Sequence, residues 1–325
     1  MGLNRLLALP ETMREIDSNQ PSVGIVLLTY NQLDYTKDCI QSIMENTYYN
    51  YRVIVVDNFS KDGTDVYFNH LADNKIKYIR NDENWGFATG NNIGIRFCFN
   101  NHFDYVLVMN NDVLVDRDFL TTLVNSANNQ NGDFVMSGKI LYQHDKSRIW
   151  YAGGYFSYLW GIGKQAGMGK EDVPKFNDKK KVQCITGCMM FAPTRVFQKY
   201  GLFREEFFIY MEDTELNLKY LRNNVDIVYE PHSVIYHRVG AGKKVLAYTP
   251  FYLYHITRNR IFIAQNIFYR LYLFFLNCGI TACRLVLYSF WGENGKSQIQ
   301  AILLGFRDIF RIKQSNFYHY PFLKT

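Results

Sequence analysis

Short unbroken apolar runs alternate along most of this chain with stretches whose apolar residues recur every three or four positions. Val23-Gly24-Ile25-Val26-Leu27-Leu28-Thr29 is the first such run, and a run of this kind marks a strand buried on both faces. Leu33 to Glu45 follows, with Leu33, Ile40, Ile43 and Met44 at helical spacing. The same alternation predicts strands over 52–56 and 75–80 and helices over 64–71 and 87–99. It then predicts a fourth strand over Tyr105-Val106-Leu107-Val108-Met109, which runs into Asn110-Asn111-Asp112. Further on it predicts a helix over 116–127 capped by Asp116, a strand over 182–192, a helix over 212–221 and two short strands over 226–230 and 233–237.

Strands alternating with helices predict an α/β fold with a doubly wound, mixed but mostly parallel sheet flanked by helices. In open sheets of this type ligands bind beyond the carboxyl ends of the strands. Asp57 closes the second predicted strand and Asp112 follows the fourth, so two acids fall at one edge. The turn after the first strand, Thr29-Tyr30-Asn31-Gln32, contains no glycine. A dinucleotide fold wants G-x-G-x-x-G there and a P-loop wants G-x-x-x-x-G-K, so both are disfavoured.

Between 137 and 182 the pattern loosens into glycines and aromatics, Trp150 to Phe156 among them. Loops and a short hairpin are expected there, either shaping an acceptor site or serving as ordinary surface. Gly187, inside an apolar run, points to close approach of another backbone or a ligand. Beyond Tyr248 the composition shifts. The stretch over 261–290 is strongly apolar, but Arg270 and Arg284 interrupt it, and the uncharged part falls short of the roughly 20 residues that span a bilayer. An interfacial or partner-packed helix pair is expected there.

Charge sharpens that division. The whole chain carries a net +6, yet from Arg238 onward there are 12 Lys+Arg against 2 Asp+Glu. A cationic, aromatic-rich region suits an anionic membrane surface, and no signature of RNA or DNA binding accompanies it. The six cysteines show no C-x-x-C pairing, and Cys184 and Cys188 read as small buried hydrophobes, which fits a reducing compartment. Residues 1–21 hold no apolar core of a secretory signal, so secretion is not expected.

In order and spacing, Ile25 to Asn31, Val53 to Thr64, Asn84-Trp85-Gly86-Phe87 through Asn91-Asn92-Ile93-Gly94, Val108 to Val113 and Gly201 to Leu218 resemble the successive blocks of family 2 glycosyltransferases with the GT-A fold. The rhamnosyltransferase-like subgroup is the most similar. The resemblance implies a catalytic domain over 23–245, an N-terminal extension over 1–22 and a helical C-terminal region over 246–325 that docks on a membrane surface or a partner.

It further implies an inverting, metal-dependent transfer of a sugar from a nucleotide diphosphate donor to a hydroxyl of a cell-surface polysaccharide or lipid-linked glycan. The donor is dTDP-rhamnose by subgroup, with UDP-hexoses as the alternative, and the enzyme would work at the cytoplasmic face of the cell membrane. Whether the chain forms a homo-oligomer is open. In the family a D-x-D element binds metal and donor. Here the matching positions are Asn110, Asn111 and Asp112, so only Asp112 keeps the carboxylate and Asn110 is assigned to the donor.

His237 matches the family histidine that completes the site for Mg²⁺ or Mn²⁺. Arg238 and Lys243, with Lys244, are candidate diphosphate clamps. Thr29, Tyr30, Asn31, Asp57, Asn58 and Asn84 would hold the nucleoside, with Asp57 accepting from the pyrimidine N–H. Glu212-Asp213 matches the acidic pair whose second member is the base, making Asp213 the catalytic base and Glu212 its support. The competing reading is a nucleotide-sugar or glycan-binding module without turnover. A nucleotidyltransferase is disfavoured because it would need a glycine-rich basic loop after the first strand.

Overall fold

The computed structural model describes residues 20–238 and 249–310. In chain order the elements are β1 (Val23–Thr29), α1 (Leu33–Met44), β2 (Tyr51–Asp57), α2 (Thr64–His70), β3 (Ile76–Arg80), α3 (Gly86–Asn100), β4 (Tyr105–Asn110) and β5 (Val113–Val115). Next come α4 (Phe119–Asn128), β6 (Phe134–Tyr142), β7 (Ile149–Tyr151), β8 (Gly154–Ser157), β9 (Ile162–Gln165), β10 (Lys180–Lys181) and β11 (Met189–Pro193). The last are α5 (Thr194–Tyr200), α6 (Glu212–Arg222), β12 (Asp226–His237), α7 (Pro250–Asn259), α8 (Ile267–Ser289) and α9 (Glu293–Asp308).

The main sheet runs in the order β10-β12-β6-β11-β4-β1-β2-β3. β1 pairs in parallel with both β2 and β4, and β2 with β3. The chain therefore starts in the middle, winds outward to β3 and crosses back to β4. Between β1 and β4 the winding reverses, which opens a crevice at their carboxyl ends. β11 runs antiparallel between β4 and β6, and β6 pairs in parallel with β12. The fold is a mixed, mostly parallel α/β sheet covered by helices.

Burial explains why these runs are strands. Ile25, Val26, Leu27, Val53 to Val56 and Val106 to Val108 are fully buried, as strands covered on both faces require. α1 buries Thr36, Cys39, Ile40 and Ile43, one stripe at helical spacing. α3 packs unusually close because Gly90 and Gly94 face the sheet. A Cβ at Gly90 would come within 2.3 Å of Leu28 Cδ1, and one at Gly94 within 2.3 Å of Val26 Cγ1.

Several sequence expectations change. β6 is a nine-residue strand in the middle of the sheet, where loops were expected. Ser137, Gly138 and Lys139 hide it from the apolar pattern, since Lys139 is buried with its ammonium held by Asp172 at 2.7 and 2.9 Å and by Asn177 at 2.5 Å. The helix expected from Asp116 begins at Phe119, because Val113–Val115 is drawn into the sheet by antiparallel pairing with β12. The strand expected over 182–192 is confined to Met189–Pro193, with 182–188 irregular.

The two short strands over 226–237 are one, β12, with a register shift between Glu230 and Val234. That bulge drives Ser233 O toward β6, where a Cβ at Gly138 would meet it at 2.1 Å. The stretch expected as a helix pair is a 3₁₀ turn, Arg260–Ile263, followed by the single 23-residue helix α8. By length and composition α8 is apolar enough to cross a membrane, and only 22% of its apolar window is buried.

The Gly138 contact gives a direct test of the bulge. Gly138→Ala sets a methyl against a backbone carbonyl, and overpacking of this kind costs about 1–3 kcal/mol. Thermal unfolding should show a Tm lower by about 2–4 °C per kcal/mol; an unchanged Tm would remove the bulge as a packing constraint.

Candidate active site

The crevice between β1 and β4 rests on a buried polar brace. Thr29 Oγ1 and Thr36 Oγ1 lie 2.9 Å apart, and Asn111 Nδ2 donates to Thr36 at 2.9 Å and to Thr29 at 3.3 Å. All three side chains are buried. Thr29 and Asn111, expected to touch a donor, tie the ends of the two strands together. Tyr30 is half-buried and Asn31 exposed, with Asn31 in the left-handed region at φ 53°. Asn31 Oδ1 accepts Lys61 N–H at 2.7 Å and its own N–H reaches Ser60 Oγ at 2.8 Å, which fastens the β1 turn to the β2 loop.

Asp57 stands at the same edge, two strands from β4 and so about 10 Å away by strand spacing. Its carboxylate is fully buried and accepts Ser60 N–H at 2.9 Å, Tyr78 O–H at 2.6 Å and Arg80 Nη1 at 3.3 Å. Burial, with the Asp57 hydrogen bond and charge beside it, pushes the Tyr78 hydroxyl above its ordinary range. Asn58 is equally committed, donating to Asn84 Oδ1 at 3.1 Å and Gly86 O at 3.0 Å and accepting Asn81 Nδ2 at 2.8 Å. Of the expected nucleoside contacts, Thr29, Asp57 and Asn58 are buried and hydrogen-bonded within the protein. Tyr30, Asn31 and Asn84 lie on the open side.

Past β4 the chain turns at once into β5, whose pairing with β12 sets Val113 against His237. Arg238 N–H donates to Asp112 O at 2.9 Å, closing the corner. This register brings His237 Nε2 to 3.2 Å from Asp112 Oδ1. Asp112 Oδ1 is shielded from solvent yet receives no well-aligned hydrogen bond, and His237 Nδ1 also lacks one. The Trp150 ring sits edge-on to the imidazole at 4.5 Å. A carboxylate oxygen and an imidazole nitrogen that face each other without a good hydrogen bond suit a shared divalent cation. Among the described residues no cluster of three or more His, Cys, Asp or Glu supplies a complete ligand set. Half-exposed Arg238 is turned toward α1, with Nη1 2.8 Å from Asp38 Oδ2. Lys243 and Lys244 lie outside the described residues.

The acid pair opens α6. Phe208, Tyr210 and Met211, immediately before it, all have positive φ, at 63°, 67° and 72°. Each such non-glycine residue costs of order 1–3 kcal/mol, so three in four positions persist only where the surroundings over-determine them. Phe208 C=O accepts Phe87 N–H at 2.6 Å and Ala88 N–H at 3.2 Å at the start of α3. From the other side the Asn259 amide reaches three carbonyls of the loop.

Within the pair, Asp213 Oδ2 accepts Gly187 N–H at 3.1 Å, and Oδ1 accepts Thr214 N–H at 2.6 Å and Thr214 Oγ1 at 3.2 Å. Burial raises the Asp213 carboxyl above its usual range, while the Gly187 and Thr214 donors oppose the rise. Glu212 is buried, with Oε2 lacking a hydrogen bond, and burial followed by the Asp213 charge pushes it well above the carboxylate range. Glu212 is thus held toward its neutral form, leaving Asp213 better placed to carry the charge.

Gly187 and Cys188 join the two halves of the site. Cys188 C=O accepts Asn110 N–H at 3.1 Å while Gly187 N–H holds Asp213. A Cβ at Gly187 would stand 3.0 Å from the Phe87 ring, so the glycine is there for close approach. Asp213 lines a cavity of about 260 Å³ together with Lys164, Thr186, Tyr210 and Tyr252. The β8–β9 hairpin and α7 form its walls. Asp112 and His237 therefore stand together at the carboxyl edge, and the Gly187-Cys188 segment links Asp213 to half-buried Asn110 at the end of β4. Sequence reading missed Asn259 and Arg258, whose only signal was polar residues inside an apolar helical stretch.

The sequence model of glycosyl transferase family 2 matches residues 24–201, more than half of the chain. The uncharacterized glycosyltransferase RT0329 of Rickettsia typhi is 29% identical over 66% of this chain and 63% of its own length. The dTDP-rhamnosyl transferase RfbF of Shigella flexneri is 25% identical over 75% of this chain and 80% of that one. The chain spans 44% to 63% of the length of three other curated matches, RT0329 among them. Among solved structures, GalNAc-T7 with UDP, GalNAc and Mn²⁺ superposes with a TM-score of 0.57 at 15% identity, over 74% of this chain and 49% of that one. The wound sheet with its reversal between β1 and β4, and the sequence blocks threaded along its carboxyl edge, have one common reading: the chain belongs to glycosyl transferase family 2 and has the GT-A fold.

Proposed function

We propose that this protein transfers a sugar from a nucleotide diphosphate donor to a hydroxyl of a glycan acceptor, in a single displacement that inverts the anomeric carbon. The observation that carries the reading is the Gly187-Cys188 bridge, which holds Asp213 at an open cavity and ties it to the strand end bearing Asp112. Asp213 takes the proton of the acceptor hydroxyl as that oxygen attacks, which requires a carboxylate within hydrogen-bond reach. Neutral Glu212 beneath it avoids a second negative charge in the same buried place.

The leaving diphosphate gathers charge as the glycosidic bond breaks. Mg²⁺ or Mn²⁺ held by Asp112 Oδ1 and His237 Nε2 would neutralise that charge. Asn110 in place of an acid removes one negative charge from the strand end, leaving an amide to hydrogen-bond the donor's ribose or sugar. Arg238 serves as a clamp by exchanging Asp38 for a phosphate oxygen, and Lys243 is a second cation for the same role. Asp57 already accepts three protein donors, and a carboxylate takes about four, so a pyrimidine N–H would use the remaining place on Oδ1. It also acts as a support for Tyr78 and the β2 loop.

The donor we favour is dTDP-rhamnose, following the activity named for RfbF, with a UDP-hexose as the alternative. The acceptor is a growing cell-surface polysaccharide or lipid-linked glycan, reached from the cytoplasmic face of the membrane. Three features support membrane docking. Phe268 and Phe275 on α8 are 81% and 69% exposed, and α8 carries Arg270 and Arg284 but no acid. Tyr269 and Tyr272 hydroxyls bond Tyr158 O and Leu159 O at 2.9 Å, so α8 is continuous with the exposed hairpin tip. The same hairpin walls the cavity beside Asp213.

Three outcomes are expected. Asp213→Asn should leave donor affinity by calorimetry within about twofold and lower transfer by about 10²–10⁴-fold, the usual contribution of a positioned base; near-normal turnover would reject the assignment. Asp112→Ala should abolish the metal-dependent part of donor binding, so a variant whose calorimetric donor affinity still rises with Mn²⁺ as in wild type would count against this ligand. Flotation with phosphatidylglycerol vesicles should recover wild type in the lipid fraction and leave the double variant Phe268→Ser, Phe275→Ser behind; equal recovery of both would disprove docking through α8.

A further inference from the structure

Asn259, the last residue of α7, is fully buried under the loop that leads to the acid pair. Its Nδ2 lies 3.1 Å from Phe207 O, 2.9 Å from Ile209 O and 2.9 Å from Tyr210 O. Three carbonyls converge on one nitrogen, a place that only a donor group can fill. Its Oδ1 accepts Arg258 Nη1 at 2.8 Å, and the same guanidinium nitrogen donates to Glu206 O at 2.7 Å. This network sets the amide's orientation, with oxygen toward Arg258 and nitrogen toward the loop. Phe208, Tyr210 and Met211 carry positive φ in the segment so held, and Met211 is the residue before Glu212. Within the loop Ile209 N–H also reaches Phe207 O at 2.7 Å, closing the turn at Phe208, so Asn259 adds to that bond at Phe207 O and supplies the contacts to Ile209 O and Tyr210 O.

We infer that Asn259 is a positioning residue for transfer: its amide holds the Phe207, Ile209 and Tyr210 carbonyls so that α6 begins where Asp213 faces the cavity. The inference rests on the transferase reading proposed above. It also gives α7 a role inside the active site, reached through the loop and not through contact with substrate. The donors of the amide matter here and its volume does not. Asn259→Asp keeps the shape but turns lone pairs toward three carbonyls, so it should behave no better than Asn259→Ala.

The test compares full-length wild type, Asn259→Asp and Asn259→Ala by hydrogen exchange and by steady-state kinetics with a panel of dTDP- and UDP-sugars. In both variants, exchange of the 208–215 amides should quicken about tenfold while β1, β2 and β4 stay protected, as a local opening does. kcat should fall about 100-fold, the scale of a misplaced catalytic group, with the donor KM changed by less than about threefold. Wild-type exchange and kcat in Asn259→Asp would overturn the inference, and so would equal loosening of loop and sheet. A wild-type protein that turns over no donor and acceptor pair defeats the transferase reading alone; the loop-specific exchange would still uphold Asn259's hold on the loop, and its absence would overturn it.

Discussion

The pairing of β5 with β12 is the constraint on which the site depends. Three residue pairs, Val113 with His237, Leu114 with Tyr236 and Val115 with Ile235, carry it. A slip of one residue would turn His237 to the opposite face of the strand, away from Asp112. The register is set from outside the site, since β12 runs its full length beside β6 and bulges only where Gly138 leaves room for Ser233 O. A glycine in the middle of the sheet thus helps decide where an imidazole at its edge will stand.

A second constraint governs the acids. The N-terminus of α6 can present two carboxylates at almost no cost in water, but here both are buried, so their protonation is divided by which one receives hydrogen bonds. Asp213 has Gly187 and Thr214 as donors, whereas Glu212 Oε2 has none. The strained turn before them is held from α3 on one side and α7 on the other, so the acid pair is located by two helices distant in sequence. The energy stored in positive φ at Phe208, Tyr210 and Met211 is offset by the carbonyl contacts to Phe87, Ala88 and Asn259.

The C-terminal helices combine two surfaces. One face of α7 packs into the loop and lines the cavity through Tyr252 and Ile256. α8 instead leaves most of its apolar length uncovered and is joined by tyrosine hydroxyls to the hairpin beside the cavity. Under the proposed function, a bilayer-bound acceptor approaching along α8 would meet the hairpin that borders the cavity lined by Asp213.

Local pattern was enough to determine the wound half of the sheet. β1 to β4 with their helices are legible because fully buried strands and amphipathic helices write different periods into the chain, and the motif order named Asp112, Asp213 and His237 as candidates. What local pattern could not convey was the other half. β6 is masked by a buried lysine and a glycine that serve long-range partners, and β5 exists only because β12 recruits it. Nor could it separate polar residues that face the crevice from those that brace it. Thr29, Asp57, Asn58 and Asn111 have the composition of a binding site, and each is buried and hydrogen-bonded within the protein. Periodicity records which face of an element is buried; which polar group meets which is decided only when the chain closes on itself.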